Sequence, residues 1–287
     1  MIKDFIVLTK FILSFAVSLS ALFAYIMAKG EIGLDMFIAT FAVLLVAMGV
    51  STLNQVQEYR EDALMDRTKH RPIASGKISP TTGIVIAGIL ILLSVVIIYD
   101  LIGMMGVNLF LFSFIWYNLF YTPLKKKSAL AVVPGAILGV IPPAVGWLTA
   151  GHSLVELEFY ALAIFYFVWQ VPHFWLLAML HDDAYKSAGY PTPMNLFGRN
   201  SLQRLTFFWL ILTMFSGLYL VNAFNPQSTT INVLLIVNLI FALISSFALL
   251  KESFQIKETK ILFMKINTAF LLTIIFLSID EVLKNNA

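Results

Sequence analysis

Long apolar runs broken by short polar ones dominate the chain, and the polar breaks are unevenly spread. A helix that crosses a bilayer needs about 20 consecutive, mainly apolar residues. Nine stretches meet this requirement, at 6–28, 35–53, 82–99, 102–120, 129–149, 159–180, 205–222, 231–250 and 261–279. Only a short turn around Asp100 separates the third from the fourth. The pattern predicts an all-α, polytopic integral membrane protein forming a single domain over residues 1–287. Its first run, Phe5 to Met27, has no clear small-residue cleavage site and is long enough to span. It reads as a retained helix rather than a removed signal peptide.

Composition removes the soluble alternative. Hydrophobic residues make up 60% of the 287 and charged residues only 12%, too little polar surface to coat a water-soluble globule. Cysteine is absent, so disulfides and thiolate metal sites are unavailable. The net charge of +3 does not point to nucleic acid, because topology accounts for it. With the N-terminus in the cytoplasm and the C-terminus outside, 17 of the 19 Lys and Arg residues fall on the inner side, and only Lys29 and Lys284 fall outside. That is the asymmetry expected of a protein in the cytoplasmic membrane.

The outer connections are short and poor in polar side chains. Two inner ones, 54–81 and 181–204, are long and rich in them. They follow the second and sixth spans, hinting at an internal repeat, and function-bearing residues are expected there.

In the first of these loops, a continued second helix would put Asn54, Glu58 and Asp62 four residues apart. Each such step drifts only about 40° round a helix, so three oxygen-bearing side chains share one face. Magnesium takes oxygen ligands and usually binds through one or two carboxylates together with substrate phosphates. Arg67, Lys69 and Arg71 follow closely, and carboxylates for a metal beside cations for a polyanion suit a diphosphate. The plain alternative is a solvated loop in which acids accompany the usual inner-face cations.

Tyr121 and Lys125 stand at the inner end of the fourth span, as an interfacial anchor or as a diphosphate contact. Gln170 and His173 lie well inside the sixth span, where polar groups need a protein interior or a cavity; an intramembrane histidine is either functional or bonded to a neighbouring helix. His181, Asp182, Asp183, Tyr185 and Lys186 give a second acidic group on the same membrane face. Pro134-Gly135, Gly139, Pro142-Pro143 and Gly146-Trp147 are assigned to helix shape and close approach.

Together these motifs resemble the UbiA superfamily of intramembrane prenyltransferases, and within it the protohaem-farnesylating branch. The resemblance runs from Leu8-Thr9-Lys10 to about Pro193. Asn54-x3-Glu58-x3-Asp62 resembles the first acidic motif of the superfamily, and Met65-x-Arg67-Thr68-x-x-Arg71-Pro72 the signature of the haem branch. Tyr121-Thr122-x-Leu124-Lys125, Trp169-Gln170-x-Pro172-His173-Phe174-Trp175 and Tyr185-x-x-x-Gly189-Tyr190-Pro191 extend it. Several positions depart from the family pattern: Glu58 replaces an aspartate, Arg60 an acid, Ala184 the aspartate before the tyrosine, Phe11-Ile12 a Pro-Arg pair, and Ala131 an asparagine.

The resemblance implies a helical bundle around a central cavity. The implied reaction moves a farnesyl group from farnesyl diphosphate to a vinyl group of protohaem IX, giving haem O and diphosphate. Asn54, Glu58 and Asp62, with Asp182 or Asp183 opposite, would hold Mg²⁺. Lys10, Arg67, Lys69, Arg71, Tyr121, Lys125 and Lys186 would contact the diphosphate, Lys125 also acting on the leaving group. Gln170, His173 and Trp175 would meet the haem, a substrate rather than a cofactor. Membrane lipids surround the bundle, and a transient partner in haem A synthesis is a further expectation. An aromatic quinone precursor or lipid alcohol as acceptor is the nearest rival. A secondary transporter is a more distant one, since the acidic groups gather at one face rather than at the midplane.

Overall fold

The computed structural model describes residues 2–251 and 253–286. A short helix α1 (Ile2–Leu8) leads into α2 (Phe11–Lys29), α3 (Leu34–Leu64) and α4 (Pro80–Phe114). The last of these continues through a π-helical stretch, Ile115–Tyr121, into α5 (Thr122–Lys125). Next come α6 (Val132–Gly135), a 3₁₀ turn and α7 (Ile141–Thr149), then the long α8 (Leu157–Leu180). Two short pieces, α9 (Asp182–Ser187) and α10 (Pro193–Phe197), lead to α11 (Arg199–Phe224), α12 (Thr229–Ser246) and α13 (Ile256–Asn285).

Among the described residues, eight helical elements are long and apolar enough to span a membrane. The expected count of nine differs by one, because the third and fourth predicted spans are joined in one 46-residue element, Pro80–Lys125. That element is broken where those two spans were expected to meet. Ile102 (φ −133°, ψ 19°) and Gly103 (φ 61°, ψ −149°) leave helical geometry. Glycine tolerates such a positive φ because it has no Cβ. The two halves are therefore separate helices in direction and continuous only in hydrogen bonding.

Local chemistry sets the other boundaries. Ser79 caps α4 by accepting from the Thr82 amide at 3.1 Å, and Pro80 follows at the first helical position, where its missing N–H costs nothing. Gly30, at φ 67°, closes α2 by donating its N–H to the Ile26 carbonyl. Gln255 and Glu258 form a capping box at the start of α13.

Two buried apolar clusters meet along α2 and α7. One joins Ala24, Trp147, Leu162, Phe165, Leu220, Leu235 and Ile274. The other joins Ala21, Ala42, Val46, Ile98, Phe110 and Val145. The seam between α2 and α7 depends on Gly146, where an added Cβ would lie 2.0 Å from the Ala21 carbonyl oxygen. Small residues let helices approach this closely where lipid supplies no hydrophobic drive for association.

Several polar side chains inside the bundle pair across helices, as a low-dielectric interior favours. Gln57 and Asn118 exchange hydrogen bonds: Gln57 Nε2 donates to the Asn118 carbonyl at 2.9 Å, and Asn118 Nδ2 donates to Gln57 Oε1 at 3.1 Å. Asn118 Nδ2 also reaches the Val50 carbonyl at 3.0 Å. This double amide pair fixes α3 against the π-helical stretch, and so aligns the elements that carry the site. Asn238 likewise ties α12 to the Ala269 carbonyl and the Thr273 hydroxyl of α13.

Candidate active site

α3 has 31 residues, about 46 Å at 1.5 Å per residue, well beyond a hydrocarbon core of about 30 Å. The excess forms its inner end, and Met65 then leaves helical geometry at φ −100°, ψ 127°. The expected face exists. Asn54, Glu58 and Asp62 point inward with 1%, 3% and 1% of their surface exposed.

Each of the three is held by a cation from a different segment. Lys10 Nζ donates to Asn54 Oδ1 at 2.8 Å. Lys125 Nζ lies 2.7 Å from both carboxylate oxygens of Glu58, with hydrogen-bonding direction only towards Oε2. Arg71 Nη1 spans the two oxygens of Asp62 at 2.8 and 2.7 Å. Asn54 also donates to the Thr122 hydroxyl, which in turn donates to the Tyr117 carbonyl. The chain positions Lys10 at some cost, for it sits in the left-handed region at φ 48° between α1 and α2. That conformation costs an L-residue about 1–2 kcal/mol. Gln55 holds the turn by donating to the Val7 and Leu8 carbonyls at 2.7 and 2.9 Å.

Burial, then the neighbouring charges of Arg71 and Lys125, push the Lys10 ammonium down to about 7. The folded state thus disfavours the proton that the unfolded chain keeps up to about 10.5. This penalty is fully present below pH 7 and fades as pH rises, so the group adds stability across that window. The melting temperature in detergent is expected to rise less steeply between pH 7 and 10 for Lys10→Met than for the wild type. Parallel curves would contradict this.

The second polar loop converges on the same place. Lys125 Nζ lies 5.7 Å from the Tyr121 ring centre and 5.9 Å from that of Tyr190. Tyr121 packs against Gly135, where a Cβ would stand 2.7 Å from its ring. Burial, with the Glu58 charge second, pushes the Tyr190 hydroxyl up. Burial, with the exposed Arg67 guanidinium adding to it, lowers His181. Both effects require the loops to approach one another.

Asp182 turns inward, pairs with Lys186 at 2.5 Å and leaves Oδ1 buried with no partner among the described residues. Asp183 is exposed. Beside them a cavity of about 420 Å³ is lined by His181, Met194, Arg199, Gln203 and Thr259.

Several expectations need correction. Among the described residues, no three acidic or histidine side chains stand together as a ready metal cage. Of the five expected ligands Asn54, Glu58, Asp62, Asp182 and Asp183, three carboxylates are each paired with a cation rather than with one another. The physical reason is that Lys125, Arg71 and Lys186 already neutralise the buried carboxylates. Lys69 belongs to the surface, where it pairs with Asp66 at 2.6 Å. Gln170 and His173, about 60° apart on α8, meet different neighbours, and Trp175 is turned well away from both. Gln170 faces Gly139, whose Cβ position is 2.8 Å from its Oε1. Trp175 is buried against Phe197 and Trp209. His173 faces α13, with Nδ1 at 2.7 Å from Asn267 Oδ1.

Arg60, the cation inside the acidic motif, is exposed and donates to its neighbour Tyr59 at 3.1 Å. Arg60→Ala is expected to leave activity within about twofold of wild type, as measured by initial rates, because surface changes of this kind are near neutral. Residues that carry the site but gave no sequence signal are Gln55, Gln57, Asn118 and Asn267.

An oxygen-only donor face with a cation on every member, an orphaned carboxylate oxygen in the facing loop and tyrosines around a lysine make a site for a polyanion and a hard divalent ion. The chain is also similar to known proteins. The profile of the UbiA prenyltransferase family matches residues 2–269. A protoheme IX farnesyltransferase from Oleidesulfovibrio alaskensis is 41% identical over 189 residues, 65% of this chain and 66% of its own length, slightly under two thirds of that relative. The fold is also similar to that of a digeranylgeranylglyceryl phosphate synthase (TM-score 0.79, 15% identity, 98% of each chain). It is similar as well to a UbiA homologue from Archaeoglobus fulgidus solved with DMAPP and Mg²⁺ (TM-score 0.75, 13% identity, 97% of this chain and 99% of that one). With the profile spanning nearly the whole of a multi-pass helical chain whose acidic face it was expected to contain, the chain belongs to the UbiA prenyltransferase family.

Proposed function

We propose that the chain transfers a farnesyl group from farnesyl diphosphate to a vinyl group of protohaem IX, as a single membrane domain working at its cytoplasmic face. The observation that carries this reading is the buried Asn54–Glu58–Asp62 face with Lys10, Lys125 and Arg71 each bound to one member. The names of relatives such as the 41% identical farnesyltransferase support the choice of acceptor. The distribution of Lys and Arg supports the orientation, with the N-terminus inside.

The family implies Mg²⁺, and the residues fit it. The donors are all oxygens, and Asp182 Oδ1 is a buried carboxylate oxygen without a partner. Asn54, Glu58, Asp62 and Asp182 would hold it, and when bound it supplies positive charge that offsets the charge growing on the leaving diphosphate. The chain's own cations do related work. Lys125 and Arg71 exchange their carboxylate partners, and Lys10 the amide oxygen of Asn54, for diphosphate oxygens, and Tyr121 and Tyr190 wall the Lys125 ammonium.

In the reaction the farnesyl C1–O bond breaks and a C–C bond forms to the terminal vinyl carbon. Water adds its hydroxyl to the inner vinyl carbon, and its second proton leaves with the diphosphate. The apolar bundle shields the allylic cation from bulk water until that step.

A panel assay tests the acceptor. Labelled farnesyl diphosphate is supplied with protohaem, an aromatic quinone precursor or a glycerol-lipid alcohol. Label should enter protohaem; preferential labelling of either other acceptor overturns the reading.

A further inference from the structure

We infer that Asn267 is a positioning residue that fixes the tautomer of His173 and so presents a bare Nε2 nitrogen to the iron of the porphyrin acceptor. This inference rests on the proposed function and adds a residue that no motif contains. It starts from the amide of Asn267. Its nitrogen donates to the Phe263 carbonyl at 2.6 Å, and a carbonyl can only accept. The amide oxygen must therefore be the atom 2.7 Å from His173 Nδ1. An amide oxygen also only accepts, so Nδ1 carries the proton. A neutral imidazole then has its lone pair on Nε2, which has no hydrogen-bond partner among the described residues.

The surroundings hold the ring in that orientation. Trp169 packs at 4.7 Å and Phe263 at 4.9 Å between ring centres. Trp169 is itself stacked on Phe270 at 3.9 Å. Phe263, Asn267 and Phe270 recur at helical spacing along α13, so one face of that helix supplies both the amide and the aromatic walls. His173 remains only partly buried. A histidine serving merely as a bridge between helices would be satisfied by Nδ1 alone. Here the orientation leaves the nitrogen suited to a metal pointing away from the bridge, and second partners of this type typically change metal affinity by about 10–100-fold.

The test uses the full-length protein in detergent, titrated with protohaem and read by absorbance and by the iron–histidine stretch of the ferrous complex. Wild type should show an imidazole-ligated haem, lost in His173→Ala. Asn267→Leu should weaken haem binding by about tenfold or more. Asn267→Asp should retain binding and raise the iron–histidine stretching frequency, because a carboxylate makes the imidazole more anionic. That shift is not expected from a change in helix packing. An unaltered affinity in a folded Asn267→Leu protein, or an unshifted stretch in Asn267→Asp, overturns the inference. If the leucine variant fails to fold, the aspartate variant decides. Wild type that farnesylates haem while Asn267→Asp leaves the stretch unchanged sinks this inference alone. Wild type that neither binds nor farnesylates haem sinks both it and the function on which it rests.

Discussion

Asp62→Asn is expected to lower prenyl transfer by about a hundred- to a thousand-fold, with the protein still inserted in the membrane. The magnitude is that of losing one preorganised charge at a site where charge develops in the transition state. Asp62 is 1% exposed and receives Arg71 on both oxygens. The asparagine keeps the shape and one accepting oxygen, but it loses the charge that recruits a divalent ion. Asp62→Ala should be equally inactive. It also strands the Arg71 guanidinium in a poorly solvated place, and breaking a buried pair costs about 3–5 kcal/mol. Activity and yield therefore separate in the isostere and fall together in the alanine variant. Initial rates normalised to membrane-inserted protein measure this, and a rate for Asp62→Asn near wild type would contradict it.

The second large effect concerns shape. Gly146→Val should prevent accumulation of folded protein, and Gly146→Ala should already lower its melting temperature. A Cβ at this position would lie 2.0 Å from the Ala21 carbonyl oxygen and 3.0 Å from the Ala21 Cα. These are backbone atoms, which no rotamer change can move, so α2 and α7 must separate. Overpacking of a core usually costs about 1–3 kcal/mol, and more where the backbone resists. The two apolar clusters meet along this same seam, so separating it loosens both. Gly88 offers the control: nothing lies within 4 Å of its Cβ position, and Gly88→Ala should leave the melting temperature unchanged. Equal thermal stability of Gly146→Ala and wild type would remove Gly146 from this role.

Both effects were partly visible in the sequence. The four-residue spacing of Asn54, Glu58 and Asp62 placed them on one face, since a helix fixes such faces from within. The Gly and Pro residues between 134 and 147 marked a region of close approach, though not its partner. Periodicity gives the side of a helix but not the helix it meets. That is why Trp175 was grouped with His173, although it packs against Phe197 and Trp209, and why Asn267, 94 residues from His173, went unnoticed. Hydropathy read two spans between 82 and 120 but not that they join in one element, kinked at Ile102 and Gly103. The cations were legible as a cluster. Their assignment, Lys10 to Asn54, Lys125 to Glu58 and Arg71 to Asp62, depends on tertiary structure alone. So does the exposure of Arg60, whose charge looked out of keeping inside an acidic motif.

The pairing of charges at the site also has a consequence for binding. Every acidic side chain of the face is neutralised by a cation that a diphosphate would draw away. Metal and diphosphate should therefore bind together more readily than either alone, the carboxylates and cations exchanging partners in a single step of charge pairing.

The most direct measurement is the mass of haem extracted from the protein in lipid nanodiscs after incubation with protohaem, farnesyl diphosphate and Mg²⁺. The account predicts a haem bearing one hydroxyethylfarnesyl group, formed with an equal amount of diphosphate and absent when Asp62→Asn replaces the wild type. Protohaem recovered unchanged from an active, folded preparation that consumes farnesyl diphosphate would contradict it.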